Sequence, residues 1–196
     1  KNLVTGEMLD DVIEETHGEV VWSEDSQGFF YTLGNHEWRP DRALYHRLGD
    51  DQDRLIYQES DASFFVDIAA TQSRKWLVLG TGDHVTSEVR LVPLNEPESE
   101  PVLIATRQTG HEYHVNHARD QFIIRTNDQH KNYRVVTAPE DNPTPEHWTE
   151  LLPSSDTNYY RGLIPLKGFL AVQERSNGLD QIRLRTWDGE THFVEF

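Results

Sequence analysis

Residues 107–139, RQTGHEYHVNHARDQFIIRTNDQHKNYRVVTAP, contain three short strand patterns separated by turn-forming segments. Residues alternate between polar and apolar at 113–115 and 132–136, whereas residues 122–124 are apolar throughout. Alternation is typical of a half-buried strand, and a short apolar run is typical of a fully buried one. The connecting segments are rich in Asn, Asp and Gly, which tolerate tight turns. Because one small antiparallel sheet cannot cover both of its own faces, we expect further copies packed beside it.

The same strand pattern recurs along the chain with a nearly constant period. The second strand of each repeat begins with an aromatic residue, and these residues follow one another at intervals of 47, 46 and 47. The four aromatic residues are Phe29, Trp76, Phe122 and Phe169. Four short strands in each period of about 47 residues indicate the blades of a β-propeller. The alternative is a β-sandwich with accidental spacing, which three intervals that agree within one residue disfavour.

The period predicts an all-β fold: a partial β-propeller of about four consecutive, four-stranded antiparallel blades. The expected blades span residues 16–60, 61–108, 109–153 and 154–196. Residues 1–15 are expected to end a preceding blade, with a strand at 7–9, and residues 9–15 carry a weak helical pattern. The chain starts without a Met, so we expect it to be a fragment. Asp188 and Gly189 predict a two-residue hairpin turn in the last blade.

Stacked blades bury the apolar residues of both sheet faces, and the second and third strands should be the most deeply buried. The predicted core residues are Phe29, Phe30, Leu44, Ile56, Val66, Trp76, Val78, Val89, Leu91, Phe122, Ile124, Tyr133, Val135, Phe169, Ala171, Ile182 and Leu184.

The composition restricts the classes of partner. The 196 residues include 34 acidic and 18 basic ones, which gives a formal charge of −16. This charge argues against nucleic acid and anionic membranes as partners, and it is compatible with basic peptides. No cysteine is present, so disulfides and thiolate zinc sites are excluded, and a reducing, cytoplasmic location is expected. No apolar run approaches the roughly 20 residues that span a bilayer.

Two clusters of polar residues suggest metal sites at first sight. The sequence HEYHVNH places His111, His114 and His117 near one strand, where side chains alternate between faces and three ligands cannot converge. Asp50, Asp51 and Asp53 lack the twelve-residue calcium loop with its glycine and closing Glu. We therefore expect inner-strand polar residues in the first case and a solvated hairpin tip in the second.

Other motifs give no catalytic assignment. Residues 80–83 (GTGD) precede no helix and predict a turn, and no serine lies in a Gly-x-Ser-x-Gly elbow. The five tryptophans are expected to pack in the blades, and a few of the arginines in the second half are expected to face a central channel. The tryptophans are Trp22, Trp38, Trp76, Trp148 and Trp187. The arginines are Arg107, Arg125, Arg134, Arg161, Arg175, Arg183 and Arg185. We predict no catalytic residue, no metal ligand and no cofactor.

Seven strings in unbroken order resemble the propeller domain of the oligopeptidase B branch of the prolyl oligopeptidase family. They are WSEDSQGFFY (22–31), RPDRALYHRLG (39–49), DRLIYQESDASFFVD (53–67), TSEVRL (86–91), HEYHV (111–115), FIIRTNDQHKNYR (122–134) and FLAVQERSNGL (169–179). The resemblance covers nearly the whole chain, and the series is more specific than any one of its members.

The resemblance implies a seven-bladed propeller that caps an α/β-hydrolase domain in a serine peptidase cleaving short peptides after Arg or Lys. In that family the catalytic residues and the acidic specificity pocket lie in the hydrolase domain, whose motifs do not occur in this chain. The implied role is gating: the propeller admits slim peptides, excludes folded proteins and limits water at the active site. The expected partners are that hydrolase domain and short basic peptides, with self-association through exposed terminal blades.

Two alternatives to the peptidase fragment remain open. One is a free-standing propeller that serves as a protein-interaction module. The other, which the sequence favours least, is an enzyme in its own right with a metal in its channel.

Overall fold

The computed structural model of the chain describes residues 1–195, which form sixteen strands in four separate antiparallel sheets. Blade 1 consists of β1 (Thr16–Trp22), β2 (Gly28–Gly34), β3 (Pro40–Arg47) and β4 (Arg54–Gln58). Blade 2 consists of β5 (Phe65–Ala70), β6 (Trp76–Gly82), β7 (Ser87–Pro93) and β8 (Val102–Leu103). Blade 3 consists of β9 (Tyr113–Ala118), β10 (Gln121–Thr126), β11 (Arg134–Pro139) and β12 (Thr149–Leu152). Blade 4 consists of β13 (Asn158–Pro165), β14 (Phe169–Ser176), β15 (Leu179–Thr186) and β16 (Thr191–Phe193).

In every blade the strands pair in the order in which they occur in the chain. The first strands contact each other across neighbouring blades, β1 with β5 and β9 with β13. The first strand of each blade therefore lies at the inner edge, and the fourth lies at the outer edge. The helical structure found within residues 1–195 is one short 3₁₀ turn, Pro145–His147. No helix in this range is long and apolar enough to cross a membrane.

Three hydrophobic clusters hold the blades together, one in each space between neighbours. The first, between blades 1 and 2, contains Val21, Phe30, Ala43, Tyr45, Val66, Ile68, Leu77, Leu79, Val92 and Leu94. The second, between blades 2 and 3, contains Val89, Leu91, Ile104, Ala105, Tyr113, Phe122, Ile124, Val136 and Ala138. The third, between blades 3 and 4, contains Ile123, Tyr133, Val135, Leu152, Tyr160, Leu170 and Val172. Each sheet finds its cover in the next sheet, which confirms the predicted stacking of repeated units.

The four aromatic residues that revealed the period do not all face the same way. Phe122 belongs to the cluster shared with blade 2, the preceding blade, whereas Trp76 packs against the cluster shared with blade 3, the following one. Phe30 and Leu170 occupy clusters, so their neighbours Phe29 and Phe169 point to the opposite faces. The period is therefore correct, although the aromatic residues occupy two different positions of the blade.

Several predicted core residues are only half buried, and most of these lie on the two terminal faces. Phe29 and Leu44 lie on the face of blade 1 turned away from blade 2. On blade 4, the face turned away from blade 3 carries Phe169, Ala171, Ile182 and Leu184. No other sheet of the described chain covers either face. The remaining half-buried residues, Ile56, Trp76 and Val78, pack at the margins of the clusters.

Residues 1–15 contain neither the strand predicted at 7–9 nor a helix at 9–15. A strand requires a hydrogen-bonded partner, and no described strand pairs with this segment. The segment is instead held against blade 1 through Asp11, whose Oδ1 accepts a hydrogen bond from the Gly49 backbone N at 2.6 Å.

Three further predicted elements differ in extent. The strand predicted at 101–106 is reduced to Val102–Leu103, because the Tyr113 hydroxyl binds both backbone polar groups of Ala105 and draws the chain out of the sheet. The strand predicted at 191–196 is described as Thr191–Phe193, and Phe196 lies outside the described residues. The last hairpin has a three-residue turn, because the Thr186 backbone N binds the Glu190 carbonyl oxygen around Gly189.

Candidate channel-facing site

The inner strands β9 and β13 enclose a small pocket of about 280 Å³ near the central edge of blades 3 and 4. Its charged or titratable lining consists of His114 on β9, Arg125 on β10 and Arg161 on β13. His114 and Arg125 are directly opposite each other in the β9–β10 register. Two of the arginines singled out in the sequence therefore line the inner edge of the propeller.

Arg125 is held by the backbone of the neighbouring blade. Its Nη1 donates hydrogen bonds to the carbonyl oxygens of Tyr160 at 2.8 Å and Arg161 at 2.6 Å. Both carbonyls can be reached because the β13–β14 register shifts between Tyr160 and Gly162. The guanidinium carbon also lies 4.3 Å from the centre of the Tyr133 ring, a cation–π contact. The guanidinium is thus fixed at the seam between blades 3 and 4.

The surroundings favour the neutral form of His114. The side chain of His114 is exposed on one side, and the protein atoms around its other side desolvate it and lower its pKa; the charge of Arg125 lowers the pKa further, while Glu112 opposes the shift. Desolvation also lowers the pKa of Arg125. Glu112 itself accepts a hydrogen bond from the Tyr133 hydroxyl at 2.7 Å.

The other two histidines of the HEYHVNH string lie at separate places. His111 places Nε2 2.9 Å from Thr126 Oγ1 and stacks on the Tyr113 ring. His117 is fully buried, with Nδ1 2.8 Å from Ser73 Oγ and Nε2 2.7 Å from Glu140 Oε1. Burial lowers the pKa of His117. In the described part of the chain, residues 1–195, no three potential ligands gather as a metal site would require.

Asp53 was expected at a solvated hairpin tip, and the structure corrects this. Its Oδ1 lies 2.7 Å from Nδ1 of the buried His46, and its Oδ2 accepts a hydrogen bond from the Tyr31 hydroxyl. The Asp11 carboxylate lies 3.0 Å from the other ring nitrogen of His46. Burial opposes the charge of His46, but these two carboxylates outweigh it and raise its pKa. Asp50 and Asp51 are exposed, as expected.

A second buried charge network links the connections between blades. Arg107 Nη2 donates hydrogen bonds to Glu59 Oε2 at 2.5 Å and Thr81 Oγ1 at 3.0 Å, and its guanidinium stacks on the Phe64 ring. Its backbone N binds Glu88 Oε2 at 2.9 Å. Glu59 and Glu88 are 8% and 6% exposed.

An acidic pair occupies the inner strands of blades 1 and 2. Glu19 on β1 accepts a hydrogen bond from the Ile68 backbone N at 3.3 Å, next to Asp67 on β5. Desolvation by neighbouring protein atoms, and secondly the charge of Glu19, raise the pKa of Asp67, although its side chain is partly in contact with solvent. A Cβ at Gly80 would lie 2.6 Å from Asp67 Oδ1. The glycine of the GTGD string therefore makes room for this carboxylate, within strand β6 rather than in a turn.

The tryptophans divide between packing and exposure. Trp76, Trp148 and Trp187 pack against the hydrophobic clusters, whereas Trp22 is 49% and Trp38 68% exposed.

Sequence reasoning did not find three contacts between distant residues. They are His46 with Asp11, Arg107 with Glu59, and His117 with Ser73, whose members lie 35 to 48 residues apart in the chain. The period of about 47 was the available signal, because it predicts which segments of adjacent blades face each other.

Meandering four-stranded sheets, stacked face to face with their first strands innermost, define this chain as a run of β-propeller blades. The model of the family described as "Prolyl oligopeptidase, N-terminal beta-propeller domain" matches residues 1–196. The chain belongs to this family.

Relatives with known names support the same assignment. Over its full length the chain is 34% identical to a dipeptidyl aminopeptidase BI from Pseudoxanthomonas mexicana and 30% identical to a Protease 2 from Moraxella lacunata. It spans 27% and 29% of the lengths of these two proteins.

Solved structures share the fold. The chain is similar to oligopeptidase B from Trypanosoma brucei, solved in a closed form with covalently bound antipain, with a TM-score of 0.86 and 25% identity over 95% of this chain and 28% of that one. Oligopeptidase B from Leishmania major gives a TM-score of 0.89 at 22% identity, over 97% of this chain and 28% of that one.

Proposed function

We propose that this chain is the non-catalytic, substrate-gating part of a serine oligopeptidase that cleaves short peptides after Arg or Lys. The observation that carries the proposal is the match of the propeller family over all 196 residues. The relatives named Protease 2 and oligopeptidase B support the peptidase assignment. The expected partner is an α/β-hydrolase domain of the same protein, since the chain spans under a third of its curated relatives.

The gating role is steric and orienting. The first strands lie side by side at the inner edge and present Asp67 on β5 and His114 on β9. Arg125 lies next to His114 on the adjacent strand β10, and we place these groups along the path that a peptide follows. A slim, extended peptide fits between such strands, whereas a folded protein does not. Closure over the active site would also limit access of bulk water.

The gate can be tested in the full-length protein that carries this chain. Ala69 lies on the face of the inner strand β5 opposite to the clustered Val66 and Ile68, and it is exposed. We expect Ala69→Trp to lower kcat/KM for ten-residue Arg-containing peptides more than for a single-residue chromogenic substrate. Ala62→Trp, at an exposed loop position, is the matched control. An equal effect on long and short substrates would contradict the gating role.

The charge of −16 suggests that cationic peptides are attracted before they enter. Salt screens such attraction, so the association rate of the full-length protein with Arg-rich peptides should fall as ionic strength rises. An association rate that stays constant between 0.05 and 0.5 M salt, roughly one Debye length of 13 Å to one of 4 Å, would exclude steering.

A second candidate activity follows from the relative named dipeptidyl aminopeptidase BI. In that case the full-length protein would release dipeptides from free N-termini. An N-acetylated peptide with an internal Arg separates the two activities by mass spectrometry of the products. Cleavage after the internal Arg supports the oligopeptidase, and cleavage that requires a free amino end supports the dipeptidyl aminopeptidase. If neither occurs, a free-standing interaction module becomes the better assignment.

A cytoplasmic location is part of the proposal, because a chain without cysteine suits a reducing compartment. Cell fractionation with an antibody against the chain tests it.

A further inference from the structure

Arg125 differs from most arginines of this acidic chain. Eight of the arginines lie within 4.0 Å of a carboxylate oxygen, for example Arg107 and Arg183. Among the described residues no such carboxylate lies beside Arg125, although its side chain is half buried. Partial burial of a cation without a counter-ion costs free energy, although this chain has many carboxylates that could have paired with it. We therefore expect Arg125 to bind an anionic partner that is not part of the described chain.

The guanidinium of Arg125 is held in place and still has free donors. Nη1 is occupied by the carbonyls of Tyr160 and Arg161, and the plane is fixed over Tyr133. Within residues 1–195, Nε and Nη2 make no hydrogen bond and are not among the buried polar atoms that lack a partner. These two nitrogens are therefore accessible, and Arg125 lines the pocket. Together they form the fork that binds a carboxylate through two parallel hydrogen bonds.

His114 completes the pocket on the opposite strand. It lies across from Arg125 in the β9–β10 register, and the pocket of about 280 Å³ between them has room for one terminal residue of a peptide. Neutral imidazole can donate one hydrogen bond to an anion. Arg161 also lines the pocket, but Asp180 pairs with it at 2.9 Å, so Arg161 adds little free positive charge.

We propose that this pocket binds the C-terminal carboxylate of a short peptide, with Arg125 as the bidentate partner and His114 as a second donor. The inference rests on the proposed function, since it concerns a peptide inside the channel. It also assigns a direction to the bound peptide. A peptide held by its carboxyl end at blades 3 and 4 extends its amino end along the inner strands. The acidic pair Glu19 and Asp67 lies on the inner strands of blades 1 and 2.

A pair of matched peptides tests the carboxylate. Acetyl-Gly-Arg with a free carboxylate and the same peptide as its C-terminal amide are titrated into the 196-residue chain by isothermal calorimetry. We expect the acid to bind about tenfold more tightly than the amide, the range of one charge-assisted hydrogen-bond pair. Equal affinities for acid and amide would overturn the proposal.

Variants assign the effect to the pocket. Arg125→Gln should abolish the difference between acid and amide, and Arg125→Lys should keep only part of it, because lysine retains the charge without the fork. Arg74→Gln, at an exposed arginine without a described ion pair, is the control and should change nothing. Since Arg125→Gln removes contacts across the seam, His114→Gln provides a second test that leaves those contacts in place. A difference that persists in both pocket variants would overturn the assignment.

The pH dependence supplies a readout that a merely structural role would not move. A bound carboxylate favours protonated His114, whose pKa is low in the free protein, so affinity should rise between pH 8 and pH 6. The other charged or titratable groups facing this site are Glu112, Tyr133, Tyr159 and Arg161. His114→Gln should flatten this dependence. A wild-type affinity that does not change with pH contradicts the role of His114.

Three further outcomes bear on this inference and on the proposed function on which it rests. Inorganic phosphate that competes more strongly than the peptide acid would overturn the assignment in favour of a general oxyanion site. Loss of the acid–amide difference in a full-length protein that still cleaves peptides would remove the inference and leave the proposed function standing. Retention of the difference in a protein without any peptidase activity would support the pocket and remove the peptidase.

Discussion

Arg107 lies between two carboxylates that folding has almost wholly removed from water. Glu59 and Glu88 are both under 10% exposed, and Arg107 binds Glu59 through its side chain and Glu88 through its backbone N. Removal of one partner from a buried ion pair leaves an uncompensated charge, and this costs far more than the intact pair contributes.

We therefore expect Arg107→Met to lower the free energy of unfolding by about 3 kcal/mol, measured by urea denaturation. Glu59→Gln in the same chain should recover part of the loss, because it removes the stranded charge. Arg54→Met is the matched control: Arg54 pairs with the exposed Glu98 and Glu100, and such surface pairs contribute about 0–1 kcal/mol. Equal losses in Arg107→Met and Arg54→Met would contradict the buried network.

His46 provides the pH-dependent contact of the N-terminal segment. Folding raises its pKa, because the hydrogen bonds that its ring donates to the Asp53 and Asp11 carboxylates, and the charges of these carboxylates, outweigh the effect of burial. A raised pKa contributes stability that is fully present below the unfolded value of about 6.5 and is lost as the pH rises through the folded pKa.

We expect His46→Gln to lower the free energy of unfolding more at pH 6 than at pH 9. His36→Gln is the control, because the His36 side chain is 88% exposed and its nearest carboxylate, on Glu37, is 4.0 Å away. The comparison requires urea titrations of all three proteins at both pH values. A loss of the same size at pH 6 and pH 9 would show that His46 acts through packing and not through its charge.

At the scale of single elements, the turns that precede the second strands of blades 1 and 2 share one conformation. Ser26 and Arg74 occupy corresponding turns and both adopt positive φ, 58° and 56°. In each turn the same backbone hydrogen bonds form, from Ser26 N to Ser23 O and from Arg74 N to Thr71 O. The left-handed conformation costs a long side chain roughly 1 kcal/mol and suits asparagine better.

Arg74→Asn should therefore raise the free energy of unfolding by about 0.5–1 kcal/mol. The control is Lys167→Asn, an exposed turn residue of blade 4 that is not among the residues with positive φ. It should stay within about 0.5 kcal/mol of the parent, as surface substitutions usually do. Thermal or urea unfolding of both variants measures the two changes in stability. Destabilisation by Arg74→Asn would contradict the view that the left-handed conformation strains Arg74.

Phe122 and Phe169 occur at corresponding points of the sequence period but in different surroundings. Phe122 is fully buried between blades 2 and 3, whereas Phe169 lies half buried on the uncovered face of blade 4. Phe122→Ala should cost about 3–5 kcal/mol, the range for a large side chain in a packed core. Phe169→Ala should cost less than half as much in the 196-residue chain. Similar losses would mean that the open face is covered in solution.

These two phenylalanines also show how far the sequence predicts the fold. Their spacing gave the number of blades and their order, because a repeated unit leaves a period that survives changes in its loops. It did not give the face, since a shift of one residue reverses the direction of a strand side chain while hardly changing the spacing. The Asn177–Gly178 turn, with φ of 50° and 82°, has the residue types that a two-residue hairpin turn prefers, so the sequence alone predicts it.

The candidate site was less predictable than the fold. Arg125 belongs to a group of arginines that the sequence marked as possible channel residues, but nothing in the sequence separated it from the others. Its placement depends on the bulge at Tyr160–Gly162 in the next blade, which presents two carbonyls to one guanidinium nitrogen. A contact that depends on the backbone of a segment 35 residues away has no local pattern to reveal it.

At the scale of the whole molecule, a run of stacked sheets ends in two faces that no described sheet covers. The face of blade 4 turned away from blade 3 carries Phe169, Ala171, Ile182 and Leu184, all half buried. Apolar patches of this kind promote association in water. The 196-residue chain should therefore sediment as a dimer or larger species at high concentration, with the monomer recovered on dilution.

Leu184→Glu should shift this equilibrium towards the monomer, because a carboxylate in the middle of the patch must be desolvated for two copies to meet. Leu179→Glu is the matched control: Leu179 is 68% exposed at the β14–β15 turn, and its side chain lies on the other face of the sheet. Sedimentation velocity of the parent and both variants over a concentration series separates the cases. If the parent stays monomeric, or if both glutamate variants dissociate equally, the open face of blade 4 does not drive association.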